Sequence, residues 1–251
     1  MPCRLPSYHP VTHHVQCRLI YIHIQQRFAR CFSAAARESE SAATKKPLRL
    51  MALGGSVTYG SRSSDGNGYR DRLRSMLISD GYAIEMVGSR RAGVMHNNHH
   101  EGWRGFRIDQ IRSRAQKNCA LLSSSDIFTI NAGSNDCIQD FEIDSVGSRM
   151  SSLLDLIWQE SPASTIILSS LLVNADTATE DRILRANAQY RDVAMQNVAE
   201  NKRVVFVDMH SSTGPSCDDL VDGTHPDDQG YFKMAQIWHK GIREADSKGF
   251  F

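Results

Sequence analysis

Apolar and polar positions follow two periods along this chain. Runs that are apolar nearly throughout fall at residues 48–53, 83–89, 126–133, 164–173 and 203–209, each short and flanked by Gly, Pro or charged residues. Runs of that length and composition predict strands buried on both faces. Between them apolar residues recur at helical spacing: Tyr69, Leu73, Met76 and Leu77 in 68–81, then Ile108 and Ile111 in 107–118. The stripe continues with Val146, Met150, Leu153, Leu154, Ile157 and Trp158 in 145–160, and with Ile183, Tyr190, Val193 and Val198 in 180–201. Residues 227–245 close the chain as an amphipathic helix. The polar, His-rich segment 90–101 reads as a loop.

Strands alternating with helices of this length predict a parallel sheet covered on both sides, an α/β/α three-layer sandwich. Five strands in the flavodoxin-like order 2-1-3-4-5 is the expected topology. The carboxyl ends of the first, third and fifth strands then share one edge, beside the point where strand order reverses and such folds bind ligands.

Composition and charge narrow the class. At 251 residues, the chain has room for one large α/β domain and an appendage. Residues 1–47 carry seven Lys or Arg against two acids, whereas the remainder carries 22 basic and 26 acidic residues, a net of −4. We therefore divide the chain into an extension, 1–47, disordered or targeting, and a single domain, 48–251. The mildly acidic domain argues against nucleic acid as a partner. No apolar stretch approaches the length of a membrane span. The extension, with Arg4, Arg18, Arg27, Arg30 and Arg37, no acid before Glu38 and a Ser/Ala-rich patch, resembles a mitochondrial presequence with a processing point before Ser33. The alternative is an upstream extension that carries no address. The six cysteines include no close-spaced pair of the zinc-ribbon kind, so no structural metal and no cofactor is expected. Cys137 and Cys217 flank candidate loops and would be free to pair in an oxidising compartment, whereas intracellularly Cys119, Cys137 and Cys217 are expected buried or half-buried.

The candidate chemistry sits at four places. "LGGSVTYG" puts Ser56 just past the first strand, on a turn that Gly54 and Gly55 make possible. "DGTH" sets Asp222 and His225 three residues apart, so that the carboxylate can hold one imidazole nitrogen and leave the other to face a nucleophile. The same Asp222 can instead serve a turn or cap the last helix. Gly105 of "EGWRGF" and Asn135 of "NAGSND" are candidate oxyanion donors, together with the N–H of Ser56. A turn glycine and a capping asparagine are the plainer readings of the first two. His96, His99 and His100 lack an accompanying carboxylate cage, which favours a solvated rim loop over a metal site. Tyr59 and Trp103 flank the candidate residues and suit either sugar stacking or packing.

In this order Ser56, Gly105, Asn135 and Asp222-x-x-His225 resemble the SGNH, or GDSL-type, hydrolases over roughly residues 48–246. Within that superfamily the chain looks closest to acetylxylan-esterase-like carbohydrate esterases, particularly fungal ones. The likeness implies Ser56 as nucleophile, His225 as base, Asp222 as its orienting acid, Gly105 and Asn135 in the oxyanion hole, and a secreted enzyme. The expected activity is removal of a small acyl group, acetyl, from a carbohydrate-like ester. A lysophospholipase or thioesterase acting on longer chains, and a degenerate binding protein, are the alternatives. Gly55 stands where the family's usual acid braces the nucleophile turn, and Ser134 replaces the commoner Thr. Thr58 excludes the Gly-x-Ser-x-Gly elbow of α/β-hydrolases.

Overall fold

The computed structural model describes residues 47–251, besides Met1, so the presequence reading and the cysteines and histidines of the extension lie outside the described residues. Strand β1 (Leu48–Gly54) is central: β2 (Ile84–Val87) pairs with its amino-terminal half and β5 (Ile127–Asn131) with its other edge, both parallel. β6 (Thr165–Ser169) and β7 (Val204–Val207) extend the sheet beyond β5. These five strands realise the expected order.

The segment 90–101 is the main departure. It contains β3 (Arg90–Arg91), antiparallel to β4 (His99–Gly102), and β4 adds to the carboxyl end of β1 through Leu53–Glu101 and Gly54–Gly102 pairing, giving seven strands. His100 is fully buried instead of solvated, while His96 is exposed. The Nδ1 atom of His100 accepts from the Gly102 N–H at 2.9 Å, so its proton sits on Nε2, which finds no partner. Burial, then the charges of Arg70, Arg90 and His99, push this imidazole down to about 3.

The helices run α1 (Ser56–Tyr59), α2 (Arg70–Ser79), α3 (Ile108–Lys117), α4 (Cys119–Ser123), α5 (Ser134–Ile138), α6 (Val146–Glu160), α7 (Thr177–Ala199) and α8 (Asp228–Ser247). Side chains alternate across β1, so Met51 and Leu53 join one core with α3, α6 and α7, whereas Leu50 and Ala52 join another with α2 and α8. The result is the three-layer sandwich. Against the second face, α8 lies close enough that a Cβ on Gly241 would stand 2.5 Å from a Val207 methyl. Asp176 and Asp227 cap α7 and α8, accepting from the N–H groups of Thr179 and Gly230, both at 2.8 Å.

Candidate active site

Ser56 is the first residue of α1, immediately past β1. Gly54 is required there by contact: a Cβ would lie 2.0 Å from the Asn131 carbonyl oxygen on the neighbouring strand. Gly55 precedes the helix, and Gly60, at φ 91°, closes it in the left-handed region. This single turn aims the Ser56 hydroxyl out of the sheet edge.

Asp222 and His225 lie on the segment between β7 and α8, closed by a bridge between Leu220 and Pro226 and by a 2.8 Å bond from the Val221 N–H to the His225 carbonyl. Asp222 accepts from the backbone N–H groups of Thr224 (3.2 Å) and His225 (2.9 Å), an Asx-type turn. It also faces the imidazole: His225 Nδ1 lies 3.0 Å from Asp222 Oδ2. The opposite nitrogen, Nε2, lies 2.8 Å from Ser56 Oγ. With the carboxylate on Nδ1, the proton belongs on that nitrogen and Nε2 is free to accept from the hydroxyl. Asp222 thus serves a turn and an imidazole together, while capping of α8 falls to Asp227. The His225 and Asp222 side chains are 22% and 30% exposed, so the chain of contacts opens to solvent.

Arg62 completes the acid's surroundings and was not legible in the sequence, because only a left-handed φ of 72° turns it back onto the site. Its Nε donates to Asp222 Oδ2 at 3.0 Å. Burial pushes the Asp222 carboxyl up, but the backbone and side-chain hydrogen bonds from His225, together with Arg62, outweigh it and hold the group well below the usual carboxylate range. Outer contacts fix the loops: Tyr231 Oη donates to the Ser61 carbonyl at 2.7 Å, and Asn174 Nδ2 donates to Thr224 Oγ1 at 3.0 Å.

Asn135 is in the first turn of α5 at the end of β5. Its Nδ2 donates to the Phe106 carbonyl at 3.1 Å and lies 3.5 Å from where a Cβ on Gly55 would stand, beside the Ser56 turn. One amide hydrogen stays uncommitted. Gly105 takes φ 77° on the turn after β4, with open space around it. That turn is tied to the strand end by the Trp103 N–H, which donates to the Gly54 carbonyl at 2.8 Å. Asp136, next to Asn135, is fully buried, accepts from the Ile108 N–H at 3.2 Å and pairs with Arg149. Burial raises its carboxyl even so. A recess lined by Gly55, Ser56, Val57 and residues 131–135 has room for about one water-sized group.

Trp103 stacks on Phe106 at 5.5 Å between ring centroids, which commits one of its faces to packing. Cys119 is half-buried, Cys137 fully buried and Cys217 exposed, and all three are free thiols. Exposure of Cys217 corrects the expectation of burial; it starts a short helical turn, Cys217–Asp219, at the surface. Burial pushes the Cys137 thiol up to about 12. Among the described residues no three His, Cys, Asp or Glu side chains converge in a metal-holding group, and no helix is long and apolar enough to cross a membrane.

The model of the GDSL-like lipase/acylhydrolase family matches residues 52–232. The chain belongs to that family, and so to a class of ester hydrolases. A multidomain esterase of Ruminococcus flavefaciens is 28% identical over 237 residues covering 83% of this chain, which spans about 30% of that esterase's length. A family 3 carbohydrate esterase of Clostridium thermocellum superposes with a TM-score of 0.71 at 27% identity, covering 80% of this chain and 98% of its own. A family 3 carbohydrate esterase of Talaromyces cellulolyticus shares the fold with a TM-score of 0.67 at 21% identity, over 80% of this chain and 99% of its own.

Proposed function

We propose that this chain is a metal-independent serine esterase that releases acetyl from a hydroxylated, carbohydrate-like substrate through Ser56, His225 and Asp222. The observation that carries the reading is the 2.8 Å approach of Ser56 Oγ to an imidazole whose far nitrogen is held by a carboxylate. Ser56 Oγ attacks the ester carbonyl carbon as its proton passes to His225 Nε2. Asp222 stabilises the imidazolium so formed. Negative charge on the carbonyl oxygen meets N–H groups from Ser56 and Gly105 and the uncommitted amide hydrogen of Asn135, donors each worth about 3 kcal/mol in comparable sites. The tetrahedral adduct collapses, the alcohol leaves with the proton from Nε2, and water then cleaves the acyl-serine by the same route.

One further observation supports the substrate: the Clostridium thermocellum relative is a carbohydrate esterase. The test is a series of short-chain esters assayed with wild type and Ser56→Ala. Wild-type kcat/KM is expected to peak at acetyl, and Ser56→Ala to lower it by about 10⁴-fold or more. A peak at eight carbons or beyond would remove acetyl from the reading; equal rates for wild type and variant would remove Ser56.

A further inference from the structure

The corner built from β3, the loop between β4 and α3, and α3 itself gathers three arginines, Arg90, Arg104 and Arg114, around aromatic rings. The Tyr59 ring has the Arg104 guanidinium at 5.4 Å from its centroid and that of Arg90 at 5.8 Å. Arg90 also lies 4.3 Å from the centre of Trp103, and Arg114 lies 4.6 Å from Trp103 and 5.5 Å from Phe106. Among the described residues none of these three guanidiniums forms an ion pair, whereas Arg107 on the same loop pairs with Asp109. The nearby Glu101 carboxylate is buried and committed to the Ser89 N–H and to Trp103 Nε1. The charge excess stands out because the domain as a whole is net acidic, with 22 basic against 26 acidic residues beyond position 47.

This ladder of cations and rings adjoins the candidate active site through three covalent or hydrogen-bonded links. Tyr59 is one turn after Ser56 in α1 and shares its side of the helix. Trp103 is bonded to the end of β1 through the Gly54 carbonyl, and Phe106 receives the Asn135 amide. Guanidiniums held against aromatic faces are oriented before a ligand arrives, and their planar forks match an oxyanion. A neutral sugar can only accept hydrogen bonds from them, whereas an oxyanion also gains from their charge.

We infer that this corner is a subsite for an oxyanion on the alcohol part of the ester, so that the preferred substrate is an acidic carbohydrate ester. The inference rests on the esterase reading of Ser56 for its meaning, but its test does not need turnover. In the full chain carrying Ser56→Ala, binding is measured by calorimetry for a xylo-oligosaccharide bearing one glucuronic acid branch, the unbranched oligosaccharide of equal length, and glucose 6-phosphate. The acidic oligosaccharide is expected to bind about 10-fold more tightly than the neutral one at low salt, with the advantage shrinking as salt is added. Exposed Arg104 is the position to probe: Arg104→Glu is expected to abolish the preference and Arg104→Lys to keep part of it. Tighter binding of glucose 6-phosphate than of the glucuronic acid probe would support the subsite and assign it to phosphate. Equal affinity for acidic and neutral probes, no binding of any probe, or a preference untouched by Arg104→Glu would overturn the inference. The esterase reading fails separately, if wild type hydrolyses no ester while the acidic preference persists.

Discussion

Ser56 depends on its two preceding glycines in different ways. Gly54 has no room for a side chain, because a Cβ would stand 2.0 Å from the Asn131 carbonyl; Gly55 meets only Asn135 Nδ2, at 3.5 Å, and keeps φ at −92°. Gly54→Ala is therefore expected to lower stability by more than 1 kcal/mol, roughly, and Gly55→Ala to raise it by about 0.4–1 kcal/mol by restricting the unfolded chain, both read from denaturant midpoints. His100 adds a pH dependence. Its folded-state value of about 3 lies below the ordinary histidine value, so the unfolded chain takes up the proton first as pH falls. Stability from this residue is present above about pH 6.5 and is lost progressively on acidification towards its folded value. Replacing it with His100→Asn, which retains an acceptor for the Gly102 N–H, should flatten the fall of Tm between pH 7 and 4. Asp222 differs: its depressed carboxyl stays ionised across that range, so its own titration adds nothing to that fall of Tm. Ser56, Asp222 and His225 were legible as residues because their spacing carries chemistry, whereas Arg62 was not, since its reach to Asp222 arises from a backbone angle.

At the scale of elements, the long apolar runs yielded the five parallel strands and their order, because a strand covered on both faces must be apolar throughout. β3 and β4 escaped the same test. Their residues, Arg90–Arg91 and His99–Gly102, are polar, and β4 gains its place through backbone pairing to β1 and burial of His100 and Glu101 with partners that no periodicity announces. The short helices α1, α4 and α5 were missed for want of two full turns. One buried cation organises this corner: Arg70, at the start of α2, is fully buried and donates to the carbonyls of Tyr59, Gly66, Ala92 and Asn98. Burial lowers its guanidinium's affinity for the proton. Arg70→Ala leaves those carbonyls without a donor and is expected to cost about 3–5 kcal/mol in a denaturant titration, and to lower kcat/KM at temperatures where the fold survives, because the segment after α1 loses its anchor.

For the whole molecule, the residues of the candidate site come from four segments widely separated in sequence and meet only because β1, β4, β5 and β7 end at one edge of one sheet. The expected topology foresaw that β1, β5 and β7 end together, but not the place of β4, the direction of the Ser56 hydroxyl or the shape of the recess, which depend on backbone pairing of polar residues and on side-chain packing across the layers. Residues 46–251 form a compact unit, and a chain beginning at Lys46 is expected to keep the Tm and the kcat/KM on a short-chain ester of the full chain; a large loss of either would move the domain boundary. The central claim, that Ser56 is the nucleophile activated by His225, is tested most directly by reaction with a serine-reactive fluorophosphonate followed by identification of the modified residue. The account predicts one stoichiometric adduct on Ser56, lost in Ser56→Ala and strongly slowed in His225→Ala. An adduct on another serine, or none on a folded chain that hydrolyses esters, would contradict it.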